Sequence, residues 1–320
     1  MTRGAGLISI AVPCYNEQQS IQPFMDAITP VLESTGHDYE ILFVDDGSAD
    51  DTLPMLVALA NASPHVRVLG LTRNFGKEAA LTAALDFVSG AAVIPMDADL
   101  QDPVELIPQM VAKWEAGTDV VLARRQSRPD DSVTRRWAAR FFYRFIARLS
   151  AFPIPENVGD FRLMDRAVVD CVRQLPEKTR YMKGILAWPG FQNEIIEFTR
   201  PLRRAGSSKW PLWKLFNHGL DGIFSFSTAP LRIWTYLGFI LSLFSLTYLL
   251  WIVVKTLVFG VDVPGYASTL SIILFFNGII LIGLGILGEY LGRVFIEVKN
   301  RPVYLVGVKA GFGMGDENRG

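Results

Sequence analysis

Carboxylates crowd into one short stretch, Asp97-Ala98-Asp99-Leu100-Gln101-Asp102-Pro103, directly after the apolar run Val93-Ile94-Pro95-Met96. In an extended segment, residues two apart point to the same face, which puts Asp97 and Asp99 on one side with Gln101 continuing the row. Two carboxylates aimed at one spot repel unless a cation lies between them. An oxygen-rich site of one or two carboxylates, water and a ligand's phosphates is the usual setting for Mg²⁺ or Mn²⁺. The competing reading is a solvated turn that merely ends a strand, because Asp and Pro are common turn residues.

The elements around this stretch decide what it can reach. Residues 7–12 and 39–44 are compact apolar runs that stop at polar loops, and both read as buried parallel strands. Between them, Ile21, Phe24, Met25, Ile28, Val31 and Leu32 recur at helical spacing within residues 19–34. The alternation continues with a helix over 50–62, a strand over 66–71, a helix over 77–88 and a strand over 91–96. A helix over 103–115 and a strand over 119–123 complete it. About 120 residues therefore form a doubly wound α/β sheet, whose crevice lies at the carboxyl ends of its strands. The loops Pro13-Cys14-Tyr15-Asn16-Glu17, Asp45-Asp46-Gly47-Ser48, Thr72-Arg73-Asn74-Phe75-Gly76 and Asp97-Ala98-Asp99 would meet there. The first strand is followed by V-P-C-Y-N-E rather than G-x-G-x-x-G, and no G-x-x-x-x-G-K-[ST] follows any strand, so neither a dinucleotide fingerprint nor a P-loop is present.

Half of the 320 residues are hydrophobic. Mean hydropathy is +0.26, with the excess concentrated after about residue 230, which points to membrane spans. Net charge is −1, so no global basic field argues for nucleic acid. Cys14 and Cys171 have no metal-ligand spacing and no disulfide is expected. The first six residues show no cleavable signal peptide. Residues 233–254 are uncharged for about 22 residues, ~33 Å of helix against a ~30 Å hydrocarbon core, and residues 270–288 are also uncharged. Both read as transmembrane helices. Basic residues precede the first (Arg200, Arg203, Arg204, Lys209, Lys214, Arg232) and follow the second (Arg293, Lys299, Arg301), which puts both termini in the cytoplasm. Arginines between Arg124 and Arg148 alternate with Trp137, Phe141, Phe142, Tyr143 and Phe145, and residues 209–226 carry a second aromatic-rich segment. Helices at about 132–150 and 209–226 would lie in the headgroup region of an anionic membrane and hold the α/β domain against it, the alternative for the first being a core-packed helix with a solvated arginine face. Gly278, Gly283, Gly285 and Gly288 would let helices approach closely, within the chain or in a homo-oligomer.

With these residues in view, the chain resembles the family 2 glycosyltransferases of the GT-A fold. Within them it is most similar to the polyprenyl-phosphate enzymes of the bactoprenol glucosyltransferase and dolichol-phosphate mannose synthase group. The resemblance covers residues 8 to about 303 and rests on V-P-C-Y-N-E, V-D-D-G-S, R-N-F-G-K-E-A-A, D-A-D-L-Q-D-P, V-G-D-F-R-L-M-D-R and R-R-A-G-S-S-K-W in that order. It departs at Val104, where a second proline is common, and at Leu122-Ala123-Arg124-Arg125 in place of Y-G-V-R, where Arg125 is aligned with the family's arginine.

The resemblance implies a Rossmann-like, mostly parallel GT-A domain over residues 1–228 that includes the interfacial helices. A two-helix membrane region would follow over 229–292, then a cytoplasmic tail over 293–320. It implies a nucleotide-sugar pocket of Pro13, Tyr15, Glu17, Asp45, Asp46 and Asp97, with Mg²⁺ or Mn²⁺ held by Asp97, Asp99 and Gln101 against the donor's diphosphate. Asp160 would orient the acceptor or act as base, the alternative being a structural carboxylate paired with Arg162. Arg125, Arg135, Arg203 and Lys209 would grip acceptor or donor phosphates. The implied reaction is inverting transfer of one hexose, foremost glucose from UDP-glucose, to undecaprenyl phosphate at the cytoplasmic leaflet of the inner membrane, for modification of cell-envelope glycans. Relatives of this kind often assemble as tetramers. Mannose, galactose, N-acetylhexosamine and modified arabinose donors fit the same residues. A processive synthase is disfavoured because Arg136-Trp137 lacks the Q-x-x-R-W pattern, Val133 standing where the glutamine would be. An idle membrane scaffold is disfavoured by the intact carboxylates.

Overall fold

The computed structural model describes residues 6–126, 158–198, 229–260 and 265–313. These fall into two units, one of residues 6–126, 158–198 and 301–313, the other of residues 229–260 and 265–300. The helices expected near 132–150 and 209–226 lie outside the described residues, as do Arg135, Arg203 and Lys209.

In the first unit, β1 (Ile8–Cys14) is central and pairs in parallel with β2 (Tyr39–Asp45) on one side and β4 (Ala92–Pro95) on the other. Ile10, Ala11 and Val12 are consecutive and all fully buried, so both faces of the strand are covered. That double burial is why the run reads as continuously apolar rather than alternating. Helix α1 (Ile21–Ser34) turns Ile21, Phe24, Ile28 and Leu32 to the core at a spacing of three and four. Helix α2 (Thr52–Ala62) leads to β3 (Val66–Leu71), and α3 (Lys77–Phe87) leads to β4. A 3-10 turn at Val104–Leu106 and α4 (Ile107–Glu115) lead to β5 (Val120–Arg125). The alternation expected over the first 125 residues is present, with boundaries displaced by one or two residues except at α4, which starts four residues later than expected, behind the 3-10 turn.

Beyond it come β6 (Val158–Asp165), α5 (Arg166–Arg173), a single helical turn α6 (Met182–Ile185), β7 (Asn193–Phe198) and, at the far end of the chain, β8 (Val306–Ala310). The sheet order is β7-β5-β6-β4-β1-β2-β3-β8. Strands β1, β2, β3 and β4 are parallel and β7 is parallel to β5, whereas β6 runs antiparallel between β4 and β5, and β8 antiparallel along β3. Two consequences matter for the site. The order reverses between β1 and β4, so the loops after those strands diverge and leave a crevice at their carboxyl ends. Strand β6 begins at that same end because it is antiparallel, which brings Gly159-Asp160 back to the mouth of the crevice.

The tail expected over 293–320 is a different object. Helix α8 (Tyr266–Lys299) extends through its first part, and β8 then pairs with β3, covering what would be an exposed sheet edge with unpaired N–H and C=O groups. The Thr72 N–H donates to Leu305 O at 3.0 Å. Tyr304 donates its hydroxyl to Asp86 Oδ2 at 2.7 Å, at the end of α3, and the Arg67 guanidinium lies 4.0 Å from the Phe312 ring centre. Burial raises the Asp86 carboxyl above its ordinary range, and the Tyr304 hydrogen bond opposes that shift.

The second unit is a pair of long helices, α7 (Ala229–Phe259) and α8, about 46 and 51 Å long at 1.5 Å per residue. Each contains one of the uncharged stretches singled out in the sequence. By length and composition, Phe275–Lys299 is apolar enough to cross a membrane, and Ile233–Tyr248 is a shorter apolar stretch, among the described residues. A side chain at Gly283 would overlap the Trp234 indole, so this glycine is where α8 admits α7's aromatic ring.

Tyr304→Phe tests how β8 is held. Losing this bond leaves a part-buried carboxylate short of a donor and is expected to lower unfolding stability by about 1–2 kcal/mol, read as a lower chemical-denaturation midpoint. An unchanged midpoint would show that the bond does not secure the strand.

Candidate active site

The loops that leave β1, β2 and β4 enclose a cleft of about 270 Å³ lined by Pro13, Cys14, Tyr15, Glu17, Asp46, Asn74, Gly76, Lys77, Ala80, Asp97, Ala98 and Asp99. The register of β1 with β2 pairs Cys14 with Asp45, so the two loops emerge side by side. They are stitched together: the Asn16 N–H donates to Ser48 Oγ at 2.8 Å, and the Ala49 N–H to Asn16 Oδ1 at 2.8 Å. The Glu17 carboxylate accepts from Ser20 Oγ at 2.6 Å, and Tyr15 is about half exposed at the rim.

Asp46 builds the next wall. Its carboxylate is nearly inaccessible and accepts the N–H groups of Phe75 (2.7 Å) and Gly76 (2.8 Å), which fixes the R-N-F-G loop so that α3 starts at Lys77. Burial raises its pKa, and those two N–H bonds partly offset the rise. Gly47 makes the seat possible. Its φ of +69° is left-handed, and a Cβ there would lie 2.5 Å from the Arg73 carbonyl carbon. Asp46 thus has both oxygens engaged with protein backbone. Asp45 does not line the cleft: one oxygen accepts from the Ser48 N–H at 3.2 Å and the other is buried without a partner among the described residues.

The acidic stretch after β4 is not extended. Pairing stops at Pro95, Leu100 takes a left-handed φ of 52°, and Asp99 Oδ1 accepts the Gln101 N–H at 3.1 Å, an Asx-type turn. The row of Asp97, Asp99 and Gln101 along one strand face is therefore replaced by a turn. Asp97 and Asp99 still line one cleft, while Gln101 contributes its backbone to holding Asp99 and does not line it.

At the centre is a residue that motif reading passed over. The Lys77 ammonium lies 2.7 Å from Asp97 Oδ1 and 2.8 Å from Oδ2, straddling the carboxylate, and 2.9 Å from Asp160 Oδ2. Burial opposes its charge, but Asp160 and then Asp97 outweigh it and raise the pKa. The Asp97 carboxyl is raised by burial, with Lys77 pulling down and Asp160 and Asp99 pushing further up. In Asp160 burial pushes upward too, yet Lys77, Arg162 and Lys183 together hold it below the ordinary carboxylate range. The alternative reading of Asp160, as a structural carboxylate, paired it with Arg162; the ion pair is with Lys77, while the buried Arg162 guanidinium donates to Gly159 O at 2.7 Å. Lys77 had a signal in the sequence: a cation on the first residue of a helix opposes the macrodipole, so its place asks for a reason outside the helix.

Glu78, next along α3, accepts the Met182 N–H at 3.3 Å. Burial first, then the Asp160 charge, push its carboxyl up to about 7. Arg125 ends β5 opposite Phe198 and does not line the cleft; its neighbour Arg124 is ion-paired with Glu197. Among the described residues no three His, Cys, Asp or Glu side chains converge as a metal cage. Two carboxylates, Asp97 and Asp99, with room for ligand oxygens and water, fit the way Mg²⁺ is commonly bound, and a protein ammonium already lies against both oxygens of Asp97. An acidic cleft of this kind admits an anionic phosphate ligand only together with cations.

The raised Glu78 pKa gives a pH signature. Its contribution to stability is full below about pH 4.5, its unfolded value, and is lost as pH rises through about 7. Glu78→Gln keeps an acceptor for Met182 and removes the titration, so its stability relative to the parent should rise by about 2–3 kcal/mol between pH 5 and pH 8 in denaturation melts. A pH-independent difference would rule the assignment out.

Residues 9–173 match the family described as Glycosyl transferase family 2, and residues 229–294 match the GtrB C-terminal hairpin. An uncharacterized glycosyltransferase of Synechocystis is 50% identical over 299 residues, covering 93% of this chain and 94% of that protein. The SfII prophage-derived bactoprenol glucosyl transferase of Shigella flexneri is also 50% identical, over 93% of this chain and 97% of its own. Among solved structures, glucosyl-3-phosphoglycerate synthase of Mycobacterium tuberculosis in complex with Mn²⁺, UDP-glucose and phosphoglyceric acid aligns with a TM-score of 0.48 at 22% identity, over 68% of this chain and 77% of that one.

Proposed function

The chain belongs to glycosyl transferase family 2, and on that premise we propose that it transfers a single glucose from UDP-glucose to a polyprenyl phosphate, with inversion, at the cytoplasmic face of a membrane. One observation carries the reading at the site: Asp97 after β4 and Asp160 in β6, far apart in sequence, meet across Lys77 at the switch point of the sheet. Half-identity to a bactoprenol glucosyl transferase along nearly the whole of both chains supports the substrates.

In this reading Pro13, Tyr15, Glu17 and Asp46 form the donor end of the cleft, and Asp97 and Asp99 hold Mg²⁺ or Mn²⁺ against the donor's diphosphate. When bound, such an ion would neutralise charge developing on the nucleoside diphosphate as it leaves. An oxygen of the acceptor's phosphate forms the new bond to the anomeric carbon as the bond to the diphosphate breaks on the opposite side. An α-linked donor thereby gives a β-linked lipid phosphate sugar. Asp160 faces the acceptor, and Arg135, Arg203 and Lys209 bind phosphates, with Arg125, which does not line the cleft, left to a phosphate outside it. Helices α7 and α8 are proposed as a membrane hairpin with both termini cytoplasmic. This is supported by the hairpin match and by bare apolar side chains such as Phe239 at 70% and Leu291 at 69% exposure.

Membranes carrying the protein should convert UDP-[¹⁴C]glucose, with Mg²⁺, into a chloroform-soluble, mild-acid-labile lipid. Asp99→Ala should cut the rate on the order of 10²–10³-fold, as loss of a main electrostatic stabiliser does. Undiminished label in that variant would refute the metal assignment, and label only from another sugar nucleotide would refute the donor.

A further inference from the structure

Lys77 does more than neutralise a cluster. Its ammonium straddles both oxygens of Asp97 at 2.7 and 2.8 Å, the face that a divalent ion bound by this carboxylate would need. The same ammonium reaches Asp160 at 2.9 Å, and it lines the cleft beside Asp99. Its position is not an accident of a flexible stem. Asp46 fixes the preceding backbone through the Phe75 and Gly76 N–H groups, and α3 starts at Lys77 itself. The side chain remains 46% exposed and that of Asp97 41%, so solute ions can reach the pair.

We propose that Lys77 is a built-in competitor of the divalent cation. It occupies Asp97 while the cleft holds no donor, and it is released toward the donor's phosphates when metal and nucleotide enter together. The inference rests on the reading of Asp97 and Asp99 as metal-holding residues and adds an order of events to it. A metal approaching alone must displace the ammonium from its contact with Asp97 and finds no anion to take it up beyond the carboxylates already in the cleft. A metal that arrives with a diphosphate brings anionic oxygens that accept that ammonium. Binding of metal and of nucleoside diphosphate is therefore mutually reinforcing, by the same factor whichever enters first, and Lys77 weakens the metal alone more than it weakens the metal together with the diphosphate.

The full-length protein in detergent, titrated with Mn²⁺ alone and with Mn²⁺ plus UDP while free Mn²⁺ is followed by electron paramagnetic resonance, tests this without any turnover. The parent should bind Mn²⁺ weakly alone and at least tenfold more tightly with UDP. Lys77→Met should bind Mn²⁺ alone at least tenfold more tightly than the parent, with the gain from UDP reduced correspondingly, while Lys77→Arg, which keeps the cation, stays within about threefold of the parent. Should Lys77→Met lose its melting transition, Lys77→Gln carries the same expectation. A neutral variant whose affinity for Mn²⁺ alone is unchanged or weaker overturns the inference, as does equal tightening in Lys77→Arg. Asp99→Ala separates the two levels. If it binds Mn²⁺ as the parent does, the metal reading itself falls; if it abolishes binding while Lys77→Met leaves affinity unchanged, only the competition falls.

Discussion

Carboxylates do not gather at the end of a sheet without a counter-ion, and in this protein that counter-ion is the Lys77 ammonium between Asp97 and Asp160. Around it stand Asp46, buried, Glu17 and Glu78, part-buried, and Asp99, exposed, and away from bulk water their charges interact more strongly. The arrangement works because three backbone decisions agree. Strand β4 ends at Pro95 and delivers Asp97 to the crevice, and β6 runs antiparallel, so it starts there with Asp160. The Asp46 carboxylate pins the loop that launches α3 with Lys77 as its first residue. Losing the last of these, and with it the Lys77 ammonium, would leave Asp97 and Asp160 facing one another as like charges across the cleft.

Much of the first 125 residues was legible because the physics there is local. Doubly covered strands such as β1 must be continuously apolar, and α1 must repeat its apolar positions every three or four residues. What the sequence hid was decided by partners distant in the chain. Strand β6 reads V-G-D-F-R-L-M-D, and its antiparallel insertion between β4 and β5 depends on pairing across more than sixty residues, which no local period records. Strand β8 reads V-G-V-K-A, too short and too interrupted by Gly307 to stand out from a tail, and it exists because β3 offers an edge. The D-A-D stretch misled in its geometry for a related reason: alternation holds only while a strand is paired, and pairing stops at Pro95. Lys77 was in view within R-N-F-G-K-E, yet its role depends on two carboxylates supplied by other strands.

The ionisation of Asp160 bears on how the proposed acceptor is used. A phosphate monoester has its second pKa near ~6 and is largely dianionic at neutral pH, so its oxygen is a nucleophile without prior proton removal. Burial alone would make Asp160 a proton acceptor of useful strength, but Lys77, Arg162 and Lys183 hold it below the ordinary carboxylate range, where it has little affinity for a proton. The group suited to take a proton near neutrality is Glu78, and it is turned to the Met182 N–H. In the proposed reaction Asp160 would then act as a fixed charge. A fixed anion repels a dianionic acceptor unless a cation is shared between them, and the ammonium already in contact with Asp160 is that of Lys77. In the proposed reaction Lys77 is thus the cation within reach of both carboxylates, Asp97 on the donor side and Asp160 on the acceptor side, which would tie its two halves to the first residue of one helix.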